Sequence, residues 1–405
     1  MCSRSHNHQL KPAAAGATKH AHAHSSRRDF FQTVMGALTG VGILQLAQYR
    51  AAWAQALTPG SPDDLFDIEK VADDVFYARA RPAAIGNCNA AIFVNSGDVL
   101  VVDAHSKPSA AASLMAQIKR DITPKPVRYL VDTHFHWDHS QGNGTYAQAG
   151  AKIVASKTTK RLMQENTVAR LHATMDPDGH GFPGQPRVPV LLEAARKRLS
   201  DATSEQDRMA AQSQIRQLEA FSAEMKNFSP SLPTITFDKS YVIKDKNHQF
   251  HLQFHGRAHT AGDIVIFCPE KRVVAVGDVV LGQMPFFADG YPKEWPKTID
   301  SIGKLGFDQL LPGHGRVQQG RQRMVNQRNY IEELTSRVET GKKAGSSVAD
   351  LQKTITADSL SSLRADGYAE YLAGPNVTAP NVFASLQTRV NNGVEQLFNR
   401  LDQAR

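Results

Sequence analysis

The hydrophobic residues after position 66 follow two kinds of spacing, which predict strands and helices in alternation. Runs such as Val75-Phe76-Tyr77 and Ala91-Ile92-Phe93-Val94 are separated by turns such as Asn95-Ser96-Gly97-Asp98, which predicts a small antiparallel sheet. Helical spacing over Ala110–Ile118 and a strand at Val127–Val131 follow. The later predicted elements are strands at Lys152–Ala155, Phe250–Phe254, Ile264–Phe267, Val273–Val276 and Gln309–Leu311, and a helix near Ile299–Leu305. Sheets with helices on the outside are therefore expected.

Two segments depart from this alternation because they show helical spacing only. The first, about residues 189–230, is charged and bounded by prolines, and it predicts a helical insertion. Its apolar stripe consists of Ile215, Leu218, Phe221, Met225 and Phe228. The second is a carboxy-terminal extension over residues 320–405, ending in the stripe Phe383, Leu386, Val390, Val394, Leu397 and Leu401. We expect both stripes to be buried in packing, and the extension to be a helical cap or a homodimer element.

Composition and charge narrow the class of protein. The chain has 405 residues, of which 41% are hydrophobic and 21% charged, as in ordinary globular proteins. Three cysteines cannot form a disulfide framework, so a metal site would use His and carboxylates. Of the net charge of +8, residues 1–56 carry +5, because six basic residues there face one acidic residue. The nearly balanced remainder argues against a nucleic-acid partner.

The amino-terminal segment is predicted to be an export signal. Arg27 and Arg28 precede Phe30-Phe31 and a moderately apolar run over Val34–Ala47, and two A-x-A sites follow near residues 52–56. This order resembles a twin-arginine signal peptide over residues 1–56, which implies the twin-arginine export machinery as a partner and a periplasmic location. The apolar run is too short to predict a stable membrane anchor.

Polar side chains with metal-binding chemistry follow the strand at Val127–Val131. His134 and His136 are two residues apart, so in an extended segment both rings point the same way and can share one cation. Asp138 and His139 come next, offset from that pair, and can face a neighbouring cation. One segment therefore offers ligands for two adjacent metal positions.

Three further candidate ligands lie after predicted strands or at glycine-rich turns. They are His259 in Ala-His-Thr-Ala-Gly-Asp, Asp278 in Val-Gly-Asp-Val and His314 in Leu-Pro-Gly-His-Gly. Strand ends and glycine turns are places where ligands converge, because the backbone can approach an ion closely there.

These four motifs, in this order, resemble the metallo-β-lactamase-fold hydrolase superfamily over roughly residues 67–319. The resemblance implies an α+β fold, a four-layer αββα sandwich forming a domain over residues 57–319. It implies that His134, His136 and His259 bind a first metal, that Asp138, His139 and His314 bind a second, and that Asp278 bridges both. It also matches Asp103 to the structural aspartate beneath the site. The implied cofactors are two divalent ions, with zinc favoured over iron or manganese.

The ligand set also suggests a reaction. Asp278 in place of a cysteine, and His139 in place of an arginine, resemble glyoxalase-II-like thioesterases and lactonases. Two divalent ions lower the pKa of a shared water to about 7 and supply hydroxide at neutral pH. We expect hydrolysis of an ester, thioester, lactone or amide, including a β-lactam, in a small-molecule substrate, with Asp138 as the catalytic proton carrier. The stretch of 120 residues between His139 and His259 exceeds the family's usual spacing, so the substrate is left open.

Three alternatives remain at this point. A mononuclear-iron persulfide dioxygenase of the same fold shares the His-x-His-x-Asp-His motif but uses three ligands, so seven filled positions favour the hydrolase. A nuclease would suit the motif but not the balanced charge. A non-catalytic metal-binding protein is the third alternative.

An apolar segment follows Asp278 and predicts either a wall of the substrate pocket or a small core. It consists of Met284, Pro285, Phe286, Phe287, Tyr291 and Trp295.

Overall fold

A computed structural model describes residues 64–81, 87–178 and 187–403, all within the compact unit Ile43–Arg405. The export signal predicted for residues 1–56 lies outside these residues.

Two mixed sheets form the centre of the fold. The first has the strand order β1-β2-β3-β4-β5-β6-β7, antiparallel up to β4 and parallel from β4 to β7. Its strands are β1 (Phe66–Ala72), β2 (Val75–Ala80), β3 (Ala90–Val94), β4 (Val99–Val102), β5 (Val127–Val131), β6 (Lys152–Ser156) and β7 (Ile235–Phe237). The second sheet has the order β13-β12-β11-β10-β9-β8, antiparallel except between β11 and β12. Its strands are β8 (Ser240–Lys244), β9 (Gln249–Gln253), β10 (Val265–Cys268), β11 (Val273–Gly277), β12 (Gln309–Pro312) and β13 (Gln318–Gln319).

Helices cover the outer faces of both sheets and fill the two helical segments. The helices of the amino-terminal half are α1 (Pro108–Gln117, extended by a π turn over Ile118–Ile122), α2 (Trp137–Ser140), α3 (Asn143–Gln148), α4 (Lys157–Met175), α5 (Val188–Asp201) and α6 (Glu205–Met225). Those of the carboxy-terminal half are α7 (Trp295–Ile302), α8 (Gln322–Lys343), α9 (Val348–Thr354), α10 (Ser361–Arg364), α11 (Tyr368–Ala373) and α12 (Val382–Gln403). Short 3₁₀ turns occupy Pro269–Lys271, Ala357–Ser359 and Ala365–Gly367.

The alternation of side chains along the central strands builds four layers. On β4, Leu100 and Val102 pack between the sheets with Phe250 and Leu252 of β9. Val99 and Val101 of β4 point the other way, into a core with the helices outside the first sheet. A third core joins the second sheet to α7 and the carboxy-terminal helices. This is the αββα sandwich, so the predicted fold class is confirmed.

The helical insertion has its own small core. Leu171 of α4, Val188 and Ala195 of α5, and Leu218 and Phe221 of α6 are buried together. Trp137, from the turn that carries Asp138, packs on the same cluster. The helices between β6 and β7 therefore rest directly against the segment that carries the candidate ligands His134 to His139.

Two parts of this region were not predicted from the sequence. Helix α4 has only a sparse apolar stripe, with Met163, Thr167 and Leu171 among its buried residues. The short strands β7 and β8 carry mixed polar and apolar residues without a clear period. All three elements form because they pack against their neighbours, more than because of their own sequence pattern.

The carboxy-terminal stripe packs within the chain. Leu386, Val390, Val394 and Leu397 of α12 are buried against the core that covers the second sheet. The prediction that this stripe is buried in packing is therefore confirmed. In the part of the chain that the structure describes, none of the helices combines the length and the hydrophobicity that a membrane span requires.

Candidate metal centre

The ends of four strands bring the seven predicted ligands to one edge of the sandwich. His134 and His136 leave β5, and Asp138 and His139 lie in the short helix α2 that follows. His259 follows β9. Asp278 follows β11 directly, and His314 lies two residues after β12. Because β11 and β12 are parallel neighbours, their carboxyl ends meet at the same edge.

Three imidazoles form the first group of potential ligands. His134, His136 and His259 are buried, and one ring nitrogen of each lies within 4.8 Å of the others. Nε2 of His259 and Nδ1 of His136 are 2.9 Å apart. Nε2 of His134 is buried without a hydrogen-bond partner, while its Nδ1 lies 3.0 Å from the Thr133 hydroxyl. Converging nitrogens, one of them unsatisfied, are the donor set that a divalent cation fills.

The second group consists of one carboxylate and two imidazoles. Asp138 Oδ2 lies 3.0 Å from Nε2 of His314 and 3.6 Å from Nε2 of His139. The two imidazole Nε2 atoms are 3.3 Å apart. The three side chains therefore offer a second set of converging donors next to the first.

Asp278 lies between the two groups. Its Oδ2 is 3.5 Å from Nε2 of His259 in the first group and 3.7 Å from Nε2 of His314 in the second. Its Oδ1 is 3.4 Å from Nε2 of His139. One carboxylate thus reaches ligands of both groups, as a bridging ligand must.

Histidine pKa values shift in opposite directions in the two groups, and both shifts are compatible with cation binding. Burial, followed by the charges of neighbouring imidazoles, lowers the pKa of His134 and His259 far below its ordinary value, which leaves both rings neutral. Burial alone would lower the pKa of His139 and His314, but Cys88 and the surrounding carboxylates raise that of His139, and Asp278 and Asp138 raise that of His314. Burial alone would raise the pKa of Asp138, but His139 and His314 hold it well below its usual range. The second group therefore attracts positive charge, which a metal would supply in place of protons.

Support for the ligands comes from beneath the site. Asp103, buried at the end of β4 with a left-handed φ of 69°, lies with Oδ2 2.8 Å from Nδ1 of His139. It also accepts hydrogen bonds from the backbone N–H and the hydroxyl of Thr133. Asp103 therefore orients a ligand and fixes the turn that carries His134.

Gly313 lets the His314 turn approach the other ligands. A Cβ atom at this position would lie 2.2 Å from Oδ1 of Asp278 and 2.7 Å from Cε1 of His139. Only glycine avoids these overlaps, which explains the Pro-Gly-His order.

The site opens to solvent on one side. The side chains of His314 and Asp138 are 18% and 14% exposed, whereas those of His139 and His259 are at most 1% exposed. Phe286 is half-buried and packs its ring edgewise against His136, at 5.8 Å between ring centroids. Three other residues of the predicted wall do not line the site. Met284, Phe287 and Trp295 are buried in the core between the second sheet and the carboxy-terminal helices.

Two residues that lie beside the candidate ligands were not identified from the sequence. Asp289 contacts His136, and Arg170 of α4 pairs with Asp289. Burial alone would raise the pKa of Asp289, but hydrogen bonds from Arg170 and His136 hold it far below its ordinary value. Asp289 stands in Ala-Asp-Gly-Tyr, which the sequence does not distinguish from a surface turn.

Comparison with known proteins identifies a family and relatives that include an alkylsulfatase. A sequence model described as the metallo-beta-lactamase superfamily matches residues 84–314. The linear primary-alkylsulfatase of Pseudomonas sp. (strain ATCC 19151) is 24% identical over 240 residues, which cover 56% of this chain and 41% of that protein. The chain thus matches less than half the length of this relative.

Similar solved structures include two metallo-β-lactamases. The metallo-beta-lactamase from Pontibacter korlensis is 16% identical with a TM-score of 0.47, over 66% of this chain and 99% of its own. The DIM-1 metallo-beta-lactamase is 14% identical with a TM-score of 0.46, over 66% of this chain and 97% of its own. Because the family match spans more than half of the chain and includes all seven clustered side chains, the chain belongs to the metallo-β-lactamase superfamily.

Proposed function

We propose that this protein is a hydrolase that uses two divalent metal ions. His134, His136 and His259 would hold the first ion, and Asp138, His139 and His314 the second, with Asp278 between them. Zinc is the first choice of metal, because imidazole and carboxylate ligands in four-coordinate groups suit it.

The observation that carries the proposal is the position of Asp278. Its carboxylate lies within 3.7 Å of Nε2 atoms in both groups. A site for one ion would need only the three imidazoles of the first group. The second group, with its own carboxylate and two imidazoles, then has a function only if a second ion is bound.

The residues divide the chemistry between them. Two bound metal ions would supply a water of lowered pKa and an electrophilic centre for the bond that is cleaved. Asp138 and His314 border the solvent-exposed side, where substrate and water enter. Asp138 is ionised and partly exposed, so we assign to it the removal of a proton from the attacking water and the transfer of that proton to the leaving group. Phe286 gives the entrance an apolar edge for the non-reacting part of a small substrate.

We propose that the bond cleaved is either a bond to the carbonyl carbon of a carboxylic acid derivative or a sulfate ester bond. The ligands Asp278 and His139 resemble those of thioesterases and lactonases, which favours a carbonyl substrate: an ester, thioester, lactone or amide, including a β-lactam. The alkylsulfatase relative adds sulfate esters to this set. We further propose that the protein acts in the periplasm after twin-arginine export.

The experiment is a substrate panel on zinc-loaded protein. It compares nitrophenyl acetate, nitrophenyl sulfate, a thioester, a lactone and a β-lactam, with Asp138→Asn measured beside the parent chain. We expect hydrolysis of at least one substrate and a fall in kcat of about 10²–10⁴-fold in the variant, because it lacks the proton carrier. A variant that retains both metals and full turnover would remove Asp138 from this role.

The same panel separates the alternatives. Oxygen consumption with a persulfide by iron-loaded protein would favour the dioxygenase. Two bound metals without turnover of any substrate would favour a binding protein.

A further inference from the structure

His136 divides its two ring nitrogens between the metal cluster and a carboxylate. Its Nδ1 faces Nε2 of His259 at 2.9 Å. Its Nε2 lies 2.8 Å from Oδ2 of Asp289. A carboxylate accepts and does not donate, so Nε2 carries the proton and Nδ1 presents its lone pair to the cluster.

Asp289 is itself fixed by a buried arginine. Nη1 and Nη2 of Arg170 donate to Oδ2 and Oδ1 of Asp289, both over 2.7 Å. The Arg170 side chain is 8% exposed, and its guanidinium lies over the Phe135 ring at 4.8 Å. The bidentate pair allows the carboxylate one orientation, and that orientation places Oδ2 on His136.

The backbone of the Asp289 loop is tied down from the other side. Nε of Arg400, in the terminal helix α12, donates to the carbonyl of Gly290 over 2.7 Å, and its guanidinium lies 4.8 Å from the Tyr291 ring centroid. The Tyr291 N–H donates to the carbonyl of Ala258 over 2.7 Å. The loop therefore connects α12 to the residue next to His259.

We propose that Asp289 is the positioning residue of His136, held in place by Arg170. This inference rests on the proposed metal site, because its effect is on how well His136 binds a metal. It gives helix α4 a function in the site. Without Arg170 the carboxylate can turn away, and the His136 ring loses both its tautomer and its orientation.

The test uses three variants and a matched control. Asp289→Asn keeps the size of the side chain but removes its charge, Arg170→Met removes the pair, and Arg170→Lys restores the charge without the two-pronged geometry. Arg161→Met makes the same change on the same helix, in an exposed pair with Glu165. For each we would measure Zn²⁺ dissociation constants by chelator competition, the visible absorption of the Co²⁺-loaded protein, and the Tm of the metal-free protein.

We expect Asp289→Asn and Arg170→Met to weaken one of the two zinc sites by about 10–100-fold and to change the Co²⁺ absorption. Arg170→Lys should recover part of the affinity, and Arg161→Met should match the parent chain. A lower Tm with unchanged dissociation constants and Co²⁺ absorption would overturn the inference, since the pair would then be structural only. If Asp289→Asn does not fold, the comparison of Arg170→Lys with Arg170→Met decides in the same way. A parent chain that binds no metal would instead refute the proposed function.

Discussion

Nδ1 of His139 donates a hydrogen bond to Oδ2 of Asp103 over 2.8 Å, deep beneath the metal-ligand cluster. Both side chains are buried, and the contact turns Nε2 of His139 toward Asp138, Asp278 and His314. Once the ring has lost its second proton, this contact keeps the remaining proton on Nδ1 and leaves the lone pair on Nε2. A buried carboxylate outside the proposed ligand set therefore orients one of the proposed ligands.

Asp103→Asn should weaken metal binding by about 10–100-fold. An asparagine cannot accept from both the Thr133 N–H and the His139 Nδ1–H, so one donor would face the NH₂ group. Titration with Zn²⁺ against a chelator measures the loss. Asp308→Asn, at an exposed pair with Arg272 at the other end of β12, is the control and should bind like the parent chain. Equal affinities in the two variants would show that Asp103 does not tune His139.

Gly313→Ala should disrupt the candidate metal site. The new Cβ would lie 2.2 Å from Oδ1 of Asp278, so the carboxylate must move away from the ligands it joins. We expect a loss of at least about tenfold in metal affinity. Gly97→Ala, where nothing lies within 4 Å of the added Cβ, is the matched control. Metal content and dissociation constants give the readout, and a Gly313→Ala protein with both unchanged would contradict the close approach.

Glu224 fastens the helical insertion to the sandwich. Its carboxylate is buried and accepts from the backbone N–H and the hydroxyl of Ser109, both over 2.6 Å, at the first turn of α1. Glu224→Ala leaves these donors unsatisfied and should cost about 1–3 kcal/mol of unfolding free energy. Glu219→Ala, on the same helix in an exposed pair with Arg196, should cost less than about 1 kcal/mol. Thermal unfolding measures the Tm of each variant, and we expect a lower Tm for Glu224→Ala. Equal Tm values would show that the Glu224 contact does not stabilise the fold.

Metal uptake should release protons and weaken as the pH falls. Burial alone would lower the pKa of His139 and His314, but Cys88 and the neighbouring carboxylates raise that of His139, and Asp278 and Asp138 raise that of His314. Both rings therefore keep a second proton to higher pH than an ordinary histidine in the metal-free protein. A cation must displace these protons, and its apparent affinity should rise by roughly tenfold per pH unit for each proton displaced. Calorimetric titrations in buffers of different ionisation enthalpy count the protons. An affinity that does not change with pH would mean that both rings are already neutral.

Most of the site could be predicted because its residues lie in short motifs at strand ends. His134 to His139 form one segment, and His259, Asp278 and His314 each sit in a glycine-containing turn. The structure brings all seven together, as the order of the motifs indicated. The resemblance of the ordered motifs to the superfamily supplied the grouping, and the strands that precede them, β5, β9, β11 and β12, all end at one edge of the sandwich.

The residues that were missed depend on contacts between distant segments. Asp289 and Arg170 are 119 positions apart and meet only because α4 folds back over the His136 turn. In the sequence, Arg170 looks like one more charged residue on a polar helix.

The bounds of one helix also differ from the prediction. The helix predicted near Ile299–Leu305 spans Trp295–Ile302, because the buried Trp295 and the proline after it begin the helix earlier. Such features depend on tertiary packing, which periodicity does not record.

The most direct test of the account is the metal content of the purified protein, measured metal by metal for the parent chain and for Asp278→Ala. We predict about two divalent ions per parent chain, and a loss of at least one of them when Asp278 no longer joins the two groups. One iron per chain in both proteins would contradict the dinuclear site and support the dioxygenase instead.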